Sequence, residues 1–193
     1  FSSTASNRID AGTYLIGKMI RFGFFWLLIV SIFIHTNLFA GYDQYQILLF
    51  FLTFNVVDVG AQAFLRGIYL MREDVRKGNF DYLLTKPINT LFHTLSRLTD
   101  ILDFLFLLPV LGLLIYVLIQ LSASITLSGM LLYIAFLGLS FTLVVSIHIM
   151  SASLTIWTME SENGIWFYRE SMTLGRFPPE IFSYTVQMIF TFI

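Results

Sequence analysis

Cysteine is absent from these 193 residues, and charge is scarce: Lys, Arg, Asp and Glu together make up 12% of the chain. The first absence excludes a disulfide framework and thiolate chemistry, and leaves the redox compartment open. The second excludes a soluble globule, in which about 25% of residues are charged. No nucleotide-binding loop is present, because Gly17-Lys18 lacks both the upstream glycine and the following hydroxyl that would wrap a phosphate. ATP hydrolysis by this chain is therefore not expected, and neither is a bound cofactor. His35, His93 and His148 have no partner at helical spacing, so no zinc or haem site is expected. Ser151, Ser153 and Thr155 lack a visible base, and bonding back to their own helix is the simpler role. The basic residues concentrate in one loop rather than a stripe on a folded face, which excludes nucleic-acid binding. The N-terminus also lacks the short apolar core and small-residue cleavage site of a signal peptide.

What remains is grease. Apolar residues make up 57% of the chain, mean hydropathy is +0.80, and phenylalanine alone occurs 21 times. A membrane span needs about 20 mostly apolar residues. Four stretches qualify, at about 14–40, 47–65, 101–121 and 127–157, and a fifth begins near Tyr184 and stops at Ile193. The expected fold is all-α: a polytopic helical membrane domain over residues 1–193, with four full spans and part of a fifth. Lys18 and Arg21 are expected to snorkel to the interface from the first span. The fourth stretch exceeds one crossing and must tilt, bend or project on the cytoplasmic side. Pro178-Pro179 breaks any helix before the fifth. Starting at Phe1 and stopping inside an apolar run, the chain is expected to be a piece of a longer protein.

The connectors sort by charge. Arg8, Lys18 and Arg21 accompany the first span, whereas the link 41–46 and the link near 122–126 carry no basic residue. Six of the eleven basic residues lie in 66–98, namely Arg66, Arg72, Arg76, Lys77, Lys86 and Arg97, and Arg169 and Arg176 follow the fourth span. Alternation of this kind places the N-terminus and the 66–98 segment in the cytoplasm. Within that segment Ile68, Met71 and Val75 fall at helical spacing, and Gly78 follows Arg76-Lys77 as a helix C-cap would. A turn through Asn79 and Lys86-Pro87 and a second amphipathic stretch, Ile88 to Leu98, come next. This pair of elements either floats on anionic headgroups or docks a partner.

Asp58 stands inside the second span, where a carboxylate costs about 2.5 to 3.5 kcal/mol. Asn55 and Gln62 share its helix face. The stripe marks a translocation path or a packing contact with the carboxyl protonated; His148 is the other intramembrane polar candidate. Asp100 and Asp103 read as interfacial caps of the third span. Trp26, Trp157 and Trp166 suit interfacial anchoring, and Glu160, Glu162 and Glu170 suit a solvated face or a partner contact.

The run Val75-Arg76-Lys77-Gly78-Asn79-Phe80-Asp81-Tyr82-Leu83-Leu84-Thr85-Lys86-Pro87 resembles the V-R-x-G-x-x-D-x-L-L-x-x-P segment of ABC transporter permeases of the type 2, exporter-like group. Asn7-Arg8, Trp157-Thr158, Gly164-Ile165-Trp166 and Arg176-Phe177-Pro178-Pro179-Glu180-Ile181-Phe182 resemble further family segments in order, with Phe177 in place of the usual tyrosine. The resemblance implies a six-span permease half in the plasma membrane. It would dimerise with a second permease subunit and be driven by a separate ABC ATPase that holds ATP and Mg. It also implies that Arg72, Val75, Arg76, Lys77, Gly78, Asp81 and Pro87 belong to the coupling segment that sits on that ATPase. Two rivals stand beside it: an ion-gradient-driven carrier or channel using Asp58, and an integral-membrane lipid-modifying enzyme. The transported substrate is not legible.

Overall fold

The computed structural model describes residues 2–123, 125–158 and 168–192. Four long helices dominate: α1 (Ser2–His35), α2 (Gln44–Leu65), α6 (Ile101–Gln120) and α7 (Leu127–Thr158). Between α2 and α6 lie a 3-10 turn (Arg66–Leu70) and three short helices, α3 (Met71–Arg76), α4 (Asn79–Leu84) and α5 (Thr90–Ser96). A helical turn at 168–172, 3-10 turns at Thr173–Arg176 and Pro179–Ile181, and a final helix Tyr184–Phe192 complete the described chain. No strand occurs among the described residues; one isolated bridge joins Phe39 and Tyr42.

Helix starts are set by short polar side chains. Asp43 and Gln46 form a capping box on α2, with Gln46 N donating to Asp43 Oδ1 at 2.9 Å and Asp43 N donating to Gln46 Oε1 at 3.0 Å. Asp100 caps α6 through Leu102 N at 2.9 Å, as expected of an interfacial acid. Thr126 caps α7 by accepting from Gly129 N at 3.1 Å. The first span ends at His35, short of the expected residue 40, and Ala40 and Gly41 take positive φ (52° and 86°) in the turn that leads into α2.

All four long helices are apolar and long enough to cross a membrane. They are not equivalent. In α2, 67% of the span is buried, against 6% in α1 and in α7. A helix apolar on every side belongs in the middle of a bundle. Phe51 and Leu52 of α2 accordingly meet Ile29 of α1 and Val110 and Val117 of α6 in the main core. The outer faces carry Leu27, Phe136 and Leu143, all more than half exposed, as lipid contact requires.

Two helices overrun the hydrocarbon layer, which is about 30 Å thick. α2 continues through the 3-10 turn into α3, so that Gln44–Arg76 forms one unit of 33 residues, and α7 has 32. At about 1.5 Å per residue each is close to 50 Å long. Their surplus ends meet: Ile68, Met71 and Leu95 cluster with Ala152 of α7. The 66–98 segment is therefore clamped to a helical stub rather than floating as a separate pair of elements. The end of α7 beyond one membrane thickness lies on the side of this segment.

Two expectations need correction. Residues 79–84 form α4 instead of a turn, because the reversal is completed at Gly78 and Asn79 opens the next helix. The stretch after the fourth span is no simple cytoplasmic connector. Tyr168 packs by His148, Met172 by Val57 and Val144, Gly175 by Phe54, and Arg176 by Phe25 and Phe54. Phe177 and Ile181 join the main core, and Glu180 stands against Tyr42 in the turn between α1 and α2. The segment thus climbs from the 66–98 side of the bundle to the opposite end.

Candidate functional site: docking segment and intramembrane cavity

Short-range chemistry shapes the docking segment. Gly78 has φ +72°, a conformation that a side chain strains, and its N–H donates to Val75 O at 3.2 Å to close α3. The chain then returns as α4. Of the residues expected to dock, Arg76, Lys77, Gly78, Asp81 and Pro87 are exposed, whereas Arg72 and Val75 are half-buried. Val75 faces the Met71 cluster. The structure thus gathers the tip of the segment, Arg76 to Pro87, into one projecting hairpin of two helices.

Ion pairs and close packing hold that hairpin to the bundle. Asp74 is buried and pairs with Arg97 at 2.5 Å. Arg66 pairs with Asp100 at the start of α6, and Lys77 pairs with Glu73 one turn back. Gly67 lies so close to α5 that a Cβ there would fall 2.0 Å from Thr94 O. The exposed surface also carries Tyr82, Leu84 and Phe92, and Lys86 Nζ stands 4.5 Å over the Tyr82 ring. Charge and apolar area are mixed, as in the rim and core of a protein interface.

The second constellation lies inside the bundle. Asn55, Asp58 and Gln62 share one face of α2 and line one cavity. Gln62 Nε2 donates to Asp58 Oδ1 at 2.9 Å, whereas Asn55 Nδ2 donates to Phe51 O of its own helix at 2.7 Å. Opposite them stand four cations: Lys18 and Arg21 from α1, and Arg169 and Arg176 from the climbing segment. Asp58 and Arg21 each lie about 21 Å from the turn joining α1 and α2, at about 1.5 Å per residue, about two thirds of the thickness of a hydrocarbon layer and towards the 66–98 end of the bundle. Arg176 lies over the rings of Phe25 (4.5 Å) and Phe54 (5.2 Å), nearer mid-depth.

Lys18 does not snorkel outward. Its ammonium turns into the bundle to pair with Asp103 and donates to Gln62 Oε1 at 3.3 Å. Asp103 is fully buried and also faces Arg66 at 3.8 Å, so it is an internal counter-ion and not an interfacial cap. His148 is elsewhere: buried in α7, it has Nδ1 2.8 Å from Val144 O and its ring edge-on to Tyr168. Ser153 bonds back to Ile149 O at 3.0 Å as expected. Glu170 and Trp157 are exposed; Glu160, Glu162 and Trp166 lie outside the described residues.

Sequence reasoning found the α2 stripe and missed what faces it. The available signal was the three-residue spacing of Lys18 and Arg21, which puts two cations on one helical face; Arg169 and Arg176 lie in a helical turn and a following 3-10 turn, which no single period relates.

A helical membrane bundle with an elongated basic hairpin between its second and third spans invites a family assignment. Residues 19–193 match the family model described as ABC-2 family transporter protein. The chain belongs to the ABC-2 transporter family. The resemblance seen in the Val75–Pro87 run is thereby borne out at family level. No curated protein and no solved structure matches the chain. As an ABC-2 protein it is the membrane component of a transporter, multi-pass and permease-like.

Proposed function

We propose that this ABC-2 domain is the permease half of an ATP-driven exporter, coupled through residues 66–98 to a separate ATPase subunit and paired with a second permease subunit in the plasma membrane. One observation supports the coupling most: α2, the central helix, runs without a reversal through the 3-10 turn into α3. Displacement of the hairpin tip would therefore act directly on the most buried helix of the bundle. The tip, Arg76 to Pro87, is exposed, while its base is fixed by the Asp74–Arg97 and Arg66–Asp100 pairs. ATP and Mg would be held by the partner, and nucleotide would drive transport by favouring one arrangement of the spans over the other.

The ion-gradient alternative would use Asp58 as a cation site. Asp58 already accepts from Gln62, and four side chains of positive charge line the same cavity, which opposes entry of another cation. The test of the coupling role is simultaneous charge reversal, Arg76→Glu with Asp81→Arg. Loss of ATPase co-purification with intact membrane insertion is expected. Unchanged co-purification and transport would remove the coupling role from this segment.

A further inference from the structure

The base of the 66–98 hairpin exposes apolar side chains that its own packing does not use. Within α5, Leu91, Phe92 and Leu95 lie on one face, since Leu95 follows the other two by four and three residues. Of these three only Leu95 is buried, where it joins Ile68, Met71 and Ala152. Thr94 beside it is buried as well, and its hydroxyl is satisfied by donating to Thr90 O at 2.8 Å. Leu91 and Phe92 stay exposed, Phe92 at 70%, and so do Ile88 before the helix and Leu98 after it. The polar Thr90, His93 and Ser96 occupy the other sides of α5. Apolar side chains gathered on a protein's surface mark a place of interaction.

Their height identifies the partner. Gly67 lies about 35 Å along the α2–α3 unit from Gln44, at about 1.5 Å per residue, which is just past a hydrocarbon layer of about 30 Å. Thr94 O rests against Gly67, and Asp100 N donates to Ala63 O at 3.2 Å, so α5 and the link to α6 are pinned at that level. The length of α6 agrees: Ile101–Gln120 is about 30 Å long, which puts Ile101 at the boundary itself. Arg76, by contrast, is close to 50 Å from Gln44 and stands clear of the bilayer. The exposed row is also continuous with a lipid face. Ile101, Leu105 and Leu108, at helical spacing and all more than half exposed, begin just after Leu98.

We infer that Ile88, Leu91, Phe92 and Leu98 dip into the acyl boundary of the leaflet next to the hairpin, so that α5 is a lipid-seated foot beneath it. A helix lying in the interface buries its apolar face about 5–10 Å into that boundary, the depth at which this row stands. The partner is lipid hydrocarbon rather than headgroup charge, because Arg97, the cation within this row, is already paired with Asp74. The segment then has two contact levels, with the tip from Arg76 to Pro87 in water and the foot in the leaflet. Lipid contact requires no ATPase, so the foot stands whether or not the tip couples to one.

The experiment uses the full-length permease, otherwise cysteine-free, in phosphatidylcholine nanodiscs without ATPase or nucleotide. Nitroxide labels are placed one at a time at Ile88→Cys, Phe92→Cys, Arg76→Cys and Leu108→Cys. Their collisions with oxygen, which concentrates in hydrocarbon, are compared with those with a water-soluble nickel chelate. All four positions are exposed, so no label replaces a packed side chain. Ile88→Cys and Phe92→Cys should give an oxygen-to-nickel ratio several-fold above that of Arg76→Cys and approaching that of Leu108→Cys on the lipid face of α6. A ratio at both positions as low as at Arg76→Cys would overturn the inference. The ATPase subunit is then added. Unchanged collisions at Phe92→Cys would support the lipid-seated foot, whereas loss of collisions with both reagents would show a protein covering this face and would overturn it. Either result leaves the ATPase co-purification test of the tip untouched.

Discussion

The chain has two concentrations of positive charge, and they are handled in opposite ways. In the 66–98 hairpin the cations are placed where water or a near neighbour answers them: Arg97 on Asp74, Lys77 on Glu73, Arg66 on Asp100, with Arg76 and Lys86 exposed. In the cavity Lys18 and Arg21 of α1 and Arg169 and Arg176 of the climbing segment face Asp58, with Lys18 paired to Asp103, Arg169 bonded to the Tyr69 hydroxyl and Arg176 stacked over Phe25 and Phe54. Water screens Arg76, Lys77 and Lys86 at the tip, so these charges contribute little to stability, whereas the Asp74–Arg97 and Arg66–Asp100 pairs at the base are partly buried and structural. The second set is screened little, so each charge there matters to the fold. Identical residue types are thus solvated at one end of the molecule and held by protein partners in its interior.

The largest effect is expected at Asp103. Asp103→Ala removes the buried partner of Lys18 and a neighbour of Arg66, and leaving buried charge uncompensated costs about 3–5 kcal/mol. A strong fall in thermal stability in detergent, or failure to accumulate in the membrane, is expected. A wild-type melting curve would show that the buried pair is not holding α1 to α6. Gly67→Ala comes next, since its new Cβ would meet Thr94 O. Overpacking of this kind costs about 1–3 kcal/mol. It should release α5, measured as faster proteolysis within 66–98 while the spans stay protected.

Arg76→Glu with Asp81→Arg sharpens the contrast, because both positions are exposed. Stability should change by less than about 0.5 kcal/mol, as for other surface substitutions, while ATPase co-purification is lost. A large stability change would mean that the tip is structural. The smallest effect is at Glu73. The Lys77 ammonium hydrogen-bonded to it holds this carboxyl below its ordinary value. The folded value lies below the unfolded one, so the pair's contribution is present above the ordinary carboxylate range and fades as pH falls through the lowered value. Glu73→Gln should abolish that slight acid sensitivity of α3, measured by the pH dependence of cleavage at the hairpin.

Legibility in the sequence followed the range of the interactions. The spans at 101–120 and 127–158 were plain, because an apolar run of that length has one use and Asp100 and Thr126 cap it locally. The Gly78 ending of α3 was equally local, a cationic last turn followed by a left-handed glycine. α4 was hidden because Asn79 favours turns and only the completed reversal at Gly78 frees it to start a helix. The pairing of Lys18 with Asp103 joins residues 85 apart, which no periodicity encodes. The climbing segment was masked by its own composition. Gly175 and Pro178-Pro179 interrupt it, two arginines lower its hydropathy, and its turns are too short to read as a span. Half of the cavity was therefore visible as the Asn55–Asp58–Gln62 stripe, and the cationic half was not.

The topology and the coupling role both depend on which side of the membrane the hairpin occupies. These 193 residues contain no cysteine, so single cysteines at Lys77 and Glu180 can be introduced into an otherwise cysteine-free form of the protein and exposed to a membrane-impermeant maleimide. Labelling of Glu180→Cys in intact cells, with Lys77→Cys reacting only after permeabilisation, is the predicted result, since the hairpin and the Tyr42 turn occupy opposite ends of the bundle. Labelling of Lys77→Cys in intact cells would contradict it.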